Sequence, residues 1–142
     1  MEKALEQARL AADRGEVPVG AVVVKNGKII AAAGNRTIED KDPTGHAEIL
    51  ALRSAAQILG NERLLQCDLY VTLEPCTMCA GAISFARIRR LYFGAEDRKG
   101  GAIENGVRFY SDPSCHHVPD VYAGMSEEES SKILKDFFKQ RR

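Results

Sequence analysis

The sequence has no net charge, few cysteines and no long apolar run, and each absence removes a class of protein. Among 142 residues, twenty lysines and arginines balance twenty aspartates and glutamates. That balance excludes a globally basic domain that grips nucleic acid indiscriminately, so a polyanionic partner must be held by local patches. The longest purely aliphatic run, Ile29 to Ala33, is far short of the roughly twenty residues that span a bilayer, and the opening MEKALEQ lacks the apolar core of a secretory signal. A soluble, cytoplasmic protein with no membrane partner is expected. Four cysteines are too few for a disulfide scaffold. With no repeat, low-complexity tract or long linker, residues 1–142 read as one domain. A chain of this length buries roughly 70% of the surface it would expose unfolded, so any metal it binds is expected to serve chemistry rather than folding.

The apolar pattern that is present alternates between helical and strand periods. Ala4, Leu5, Ala8, Ala11 and Ala12 recur at helical spacing before Gly15, whose freedom at positive φ suits a helix end. Valine-rich residues 18–25 and the apolar run 28–34 flank Asn26-Gly27, the favoured two-residue hairpin turn. Thr44 is placed to cap a helix from Gly45 to Leu59, stopped by Gly60-Asn61. Asp68 to Leu73 alternates as a strand, residues 76–86 form a helix, and Arg90 to Phe93 a further strand. A long glycine-rich loop follows to Gly106, then a weaker strand within Val118 to Ala123. Ser126 with Glu129 makes a capping box for a last helix whose apolar face is Ile133, Leu134, Phe137 and Phe138. The order predicts an α/β fold, a three-layer α-β-α sandwich around a mixed five-stranded sheet.

Two short motifs carry the chemistry. His46-Ala47-Glu48 opens one expected helix, and Pro75-Cys76-Thr77-Met78-Cys79 opens another directly after a strand. Cysteines at i and i+3 share a helical face, and a helix N-terminus favours their thiolates. Pro75 suits the start of such a helix, where a missing N–H costs nothing. One histidine and two thiolates supply three zinc ligands and leave the fourth tetrahedral position open for water, the catalytic pattern. Glu48 lies about 200° round a helix from His46 and is better placed as a base than as a ligand. A His-x-Glu alone is common on exposed helix starts, and a Cys-x-x-Cys alone is equally a redox pair or a coincidence. Together they form the H-x-E and P-C-x-x-C signature of zinc deaminases.

With Ala80-Gly81-Ala82-Ile83 added to the second motif, the chain resembles the cytidine/deoxycytidylate deaminase superfamily, and within it the bacterial tRNA adenosine deaminases of the TadA type. Val17-Pro18-Val19-Gly20-Ala21, Gly34-Asn35-Arg36, Asp42-Pro43-Thr44, Leu69 to Pro75, Phe93-Gly94-Ala95 and Asp136-Phe137-Phe138 extend the likeness, in order, over nearly the whole chain. Gly45 stands where that family usually has alanine, and at a helix start it would loosen the first turn by up to about 1 kcal/mol. The N-terminus is also a few residues shorter than is common in the family.

The resemblance implies a cytidine deaminase-like fold and hydrolytic deamination, with one Zn2+ per subunit held by His46, Cys76 and Cys79 and protons moved by Glu48. It implies that Asn35 bonds the target base, that Val17 packs against it, and that the backbone at Ala47 helps orient it. Asp97 matches a position that touches the neighbouring nucleotide and could sense a 2′-OH. The blander readings are a capped turn for Asn35 and a solvated loop acid for Asp97. Phe137 and Phe138 are either core or a platform for an unpaired base. Cys67 and Cys115 read as small buried hydrophobes, and Cys115-His116-His117 lacks a spaced partner for a metal. The implied partners are a tRNA anticodon stem-loop, by family inference that of arginine tRNA with an ACG anticodon, and a second copy in a homodimer. Rivals are a free base or nucleoside deaminase for guanine, cytidine or deoxycytidylate, a noncatalytic zinc subunit, which tends to lack the carboxylate that Glu48 supplies, and a thioredoxin-like redox protein. Two basic clusters, Lys132 to Arg142 and Arg87 to Lys99, are where a small RNA loop would be gripped despite the zero net charge.

Overall fold

The computed structural model of the chain describes residues 1–141, and Arg142, the last of the terminal basic residues, lies outside them. The elements run α1 (Glu2–Asp13), β1 (Gly20–Lys25), β2 (Lys28–Gly34), α2 (Ala47–Leu59), β3 (Cys67–Leu73), α3 (Thr77–Phe85), β4 (Arg90–Ala95), a 3-10 turn (Phe109–Ser111), β5 (Asp120–Tyr122) and α4 (Glu127–Gln140). One sheet carries all five strands in the order β2-β1-β3-β4-β5. β1 is antiparallel to both β2 and β3, whereas β3, β4 and β5 are parallel. The hairpin turns where expected, with Asn26 at φ 52° and Gly27 at φ 75°, both in the left-handed region that a two-residue turn demands.

Strand alternation divides the sheet into two faces. Ala21, Val23, Leu69, Val71, Leu91 and Phe93 point one way and form the main core with Ala51, Leu52 and Ala55 of α2 and Ile83 of α3. The other face is covered by α1 and α4. There α1 crosses so closely that a Cβ on Gly20 would run into the carbonyl of Ala4. The three-layer α-β-α sandwich around a mixed five-stranded sheet, expected from the order of elements, is the architecture found.

Strand directions decide where a site can form. Because β1 opposes β2 and β3, and β3 and β4 agree, the start of β1 and the ends of β2, β3 and β4 all meet at one end of the sheet. The segments carrying Val17, Asn35, Pro75 and Asp97 therefore converge beyond the carboxyl ends of the parallel strands, where α/β sheets commonly bind ligands.

Three local expectations are corrected. α2 begins at Ala47 rather than Gly45, because Thr44 is drawn into a turn instead of capping: its N–H and hydroxyl both donate to Asp42 Oδ1, at 2.9 and 2.7 Å. Gly45 therefore lies outside the helix and does not loosen its first turn. The Ser126 capping box does not form, since Ser126 sits at φ 57° with no side-chain cap bond and Glu129 pairs with Arg9 of α1 instead. On α4, Phe137 packs inward at 7% exposure, whereas Phe138 turns out of the core at 48%.

Candidate active site

His46 and Cys76 each occupy the last extended residue before a helix. His46 precedes α2 at φ −75°, ψ 149°, and Cys76 precedes α3 at φ −74°, ψ 177°. Both side chains can therefore fold back over a first turn instead of following the helical wheel, and Cys79 comes from the first turn of α3. His46 Nδ1 lies 3.6 Å from Cys76 Sγ and 3.6 Å from Cys79 Sγ. All three donor atoms fall within 4.8 Å of one another. Tetrahedral zinc with bonds of about 2.3 Å to sulfur and 2.0–2.1 Å to nitrogen needs an N···S edge of about 3.6 Å. The donor set thus fits that ion in both chemistry and size.

The protons of this cluster are shared. A hydrogen bond from the Cys79 thiol, reinforced by His46, brings Cys76 down to about 4. Cys79 is pushed up by its hydrogen bond to Cys76 and by burial. His46 is raised chiefly by its bond to Cys76. Glu48 is 4% exposed, and burial holds its carboxyl above the usual range.

Because His46 stands outside the helix, the two-residue separation does not send Glu48 to the opposite side. Both line one pocket of about 330 Å3 with Val17, Val19, Asn35, Thr37, Leu73, Glu74, Cys76, Asp97 and Gly100, at the small end of ligand pockets. Asn35 Oδ1 accepts the Ala47 N–H at 2.8 Å, so Asn35 is both a helix cap and a pocket residue, and chiefly its Nδ2 donor is left for a ligand. Ala47 is fully buried and spends its N–H on Asn35, so it acts on the pocket only through that bond. Asp97 is not a free loop acid: its Oδ1 accepts the N–H groups of Lys99 and Gly100 at 3.1 and 2.9 Å. Of the eight residues singled out, Cys79 lies behind Cys76 in the core and Ala47 beneath Asn35. The other six face the pocket.

The profile of the MafB19-like deaminases matches residues 1–142. This chain belongs to that deaminase family. A tRNA-specific adenosine deaminase of Agrobacterium fabrum is 63% identical over all of this chain and 93% of its own length. A structure from a study of A-to-I editing by tRNA:A34 deaminases at the wobble position of transfer RNA superimposes with a TM-score of 0.93. It is 65% identical and covers 94% of this chain and 97% of that one. A guanine deaminase from Bacillus subtilis is also similar, at 34% identity and a TM-score of 0.66 over 99% of this chain and 90% of the other. The family that the two motifs resemble is the family found.

In this deaminase, two buried carboxylates that the sequence did not single out hold the loops around the pocket. Glu16 Oε1 accepts the Thr37 hydroxyl and the Ile38 N–H, each at 3.3 Å, and Oε2 accepts the Glu39 N–H at 2.9 Å. Glu74, 2% exposed, accepts bonds from Asp97, Ile103, Glu104 and Asn105. Their one sequence signal is position, next to Val17 and to Pro75-Cys76. Cys67 is buried as expected, but Cys115 is only half-buried. His117 belongs to the scaffold of the deaminase, with Nε2 2.7 Å from the Ile88 carbonyl and its own carbonyl accepting the Ser84 hydroxyl at 2.7 Å.

The pocket adjoins a wider groove of about 1210 Å3 that shares Val17, Leu73, Asp97 and Gly100. Its far wall is α4, with Leu134, Lys135, Phe138, Lys139 and Arg141, and Arg98 and Lys99 stand at the near side. The expected cluster from Arg87 to Lys99 is not one patch. Arg89 pairs with Asp68 at 2.9 Å and Arg90 starts β4, at the end of the strand away from the pocket, so only Arg98 and Lys99 reach the groove.

Proposed function

We propose that this deaminase converts adenosine to inosine at the wobble position of a tRNA anticodon and releases ammonia, with one zinc ion per chain. The observation that carries the reading is the pocket in which His46, Glu48, Asn35 and Cys76 converge and which opens on a groove edged by Phe138 and five cationic side chains. A 63% identical relative bearing the name of that activity supports the choice of substrate.

His46, Cys76 and Cys79 would hold the ion, which would supply Lewis acidity and make hydroxide available near neutral pH. Glu48 takes the proton from the attacking water. It delivers that proton to a ring nitrogen of adenine as the C6–O bond forms, then takes the proton of the new C6 hydroxyl and hands it to the departing amine as the C6–N bond breaks, leaving a C6 carbonyl and ammonia. A buried carboxyl suits this task because its affinity for a proton is raised toward the working pH. Asn35 Nδ2 donates to an acceptor on the base, Val17 packs against it, and Asp97 faces the nucleotide beside it. The groove leads the flanking strand past Phe138, on which an unpaired base can stack, while Lys135 and Lys139 face its phosphates.

By family inference the substrate is arginine tRNA with an ACG anticodon, met in the cytoplasm. A homodimer is supported by apolar side chains left exposed on α2 and α3: Ile58 is 61% exposed, Met78 37% and Phe85 77%. Such exposure is a mark of association surfaces.

The second reading, deamination of a free base, is favoured by the likeness to a guanine deaminase. Offering anticodon stem-loops with a wobble adenosine beside free adenosine, cytidine and guanine separates the two. Inosine in the stem-loop supports the proposal; ammonia from a free base or nucleoside alone replaces it with the second reading.

A further inference from the structure

Glu74 closes β3's run into Pro75-Cys76 and is almost fully removed from solvent, yet no cationic side chain pairs with it among the described residues. Its charge is met instead by donors of a single loop. Oε1 accepts the Asp97 N–H at 3.0 Å and Asn105 Nδ2 at 2.8 Å, the two ends of that loop. Oε2 accepts three consecutive N–H groups, from Ile103, Glu104 and Asn105, at 3.0, 2.9 and 3.1 Å. The loop leaves room for nothing else, because a Cβ on Gly101 would run into the Glu74 carboxylate.

Every one of these five partners is a donor, and only an ionised carboxylate accepts on both oxygens without presenting a donor of its own. Bonds of this kind to a charged acceptor are about twice as strong as neutral ones. The loop so held carries Asp97 and Gly100 to the wall shared by the pocket and the groove. Asp97 stiffens its own turn through Lys99 and Gly100, but that turn is tied to the body of the protein at its base by Glu74.

We propose that Glu74 is a positioning residue for substrate: its carboxylate latches residues 97–105 and thereby sets where Asp97 and Gly100 stand over the pocket. The inference rests on the reading of that pocket as the substrate site. It does not make Glu74 a catalytic residue, since no reacting atom need touch it.

The test compares the wild type with Glu74→Gln, Glu74→Asp and Asn105→Ala by zinc content, amide hydrogen exchange and kinetics on an anticodon stem-loop. Glu74→Gln turns an NH2 against donors, and should keep one zinc per chain while the amides of Asp97, Ile103, Glu104 and Asn105 exchange at least about tenfold faster, with α2 and β3 as protected as before. KM should rise by about tenfold or more and kcat should fall by less. Glu74→Asp, which keeps an acceptor-only group on a shorter stem, should recover part of the loss. Asn105→Ala removes one donor outside the pocket and should shift exchange and KM in the same direction by a smaller factor, which keeps the test decisive if Glu74→Gln fails to fold. Paired with Asp97→Ala, Glu74→Gln should raise KM by less than the product of the separate effects. Unchanged loop exchange in Asn105→Ala, unchanged KM in a loosened loop, or independent multiplication with Asp97→Ala overturns the latch. A wild-type chain inactive on the stem-loop overturns the functional reading instead.

Discussion

The Asn35 side chain caps a helix that begins twelve residues further on, through the 2.8 Å bond from the Ala47 N–H to its Oδ1. The residue in the N-cap position itself, His46, makes no side-chain cap bond and turns its Nδ1 to the two cysteines. Asn35 therefore ties the end of β2 to the histidine and aims its remaining amide at the pocket.

Two substitutions separate these roles. Asn35→Ala removes cap and donor together and should lower unfolding free energy by about 1 kcal/mol. Asn35→Asp keeps the oxygen acceptor and loses the donor, so its stability should stay near that of the wild type. Both should lose turnover on the order of tenfold or more. Denaturant melts with single-turnover rates check this, and wild-type turnover in the Asp variant would leave Asn35 only its structural role.

Glu16 gives the protein an acid-sensitive loop. Burial raises its carboxyl, but the bonds from Glu39, Ile38 and Thr37, with Arg14 nearby, outweigh burial and bring it below its ordinary value of 4.5. A folded-state value below the unfolded one favours folding above the unfolded value, and that benefit fades as pH falls through the folded one. The pH-dependent stability gap between wild type and Glu16→Gln should be full at pH 7 and close progressively below about pH 4.5. Urea midpoints across pH 3–7 measure it, and a gap that widens toward acid would contradict this account.

The two adjacent phenylalanines of α4 should respond oppositely. Phe137 is buried beneath the Arg141 guanidinium, which lies 4.0 Å from its ring centre, so Phe137→Ala should cost about 3 kcal/mol of stability. Phe138 lines the groove, and Phe138→Ala should leave stability nearly intact while weakening stem-loop binding by about 1–3 kcal/mol, the worth of one stacked base. Thermal melts and fluorescence anisotropy resolve the two, and equal effects in both assays would remove the stacking role.

Much of this was legible in the sequence, and the rest depended on partners far along the chain. The hairpin at Asn26-Gly27, the Gly60 helix stop and the Cys-x-x-Cys after a strand are local signals, and each folds as its residues dictate. Thr44 and Ser126 misled because nearby groups outbid the helix for them or their partners: Asp42 takes Thr44, and Arg9 of α1 takes Glu129. The helical-wheel separation of His46 and Glu48 failed because His46 is extended, a state imposed by the turn before it. Glu16 and Glu74 look like ordinary surface acids until the loops at residues 37–39 and 97–105 close over them. The basic run from Arg87 to Lys99 looks continuous, but β4 carries its two ends apart.

The split of that run sets a ceiling on salt dependence. Lys135, Lys139, Arg98, Lys99 and Arg141 border the groove, so three to five phosphate contacts would give log K against log salt a slope between about −2 and −3.5. Titrations from low to physiological salt measure the slope. A value near zero, or one as steep as that of a globally basic protein, would refute the groove as the RNA path.

The most direct test of the account is inosine formation in an anticodon stem-loop by Glu48→Gln carrying as much zinc as the wild type. The account predicts that the folded, zinc-loaded variant still binds the stem-loop and loses about 10²–10⁴-fold in rate. Turnover at the wild-type rate would contradict it.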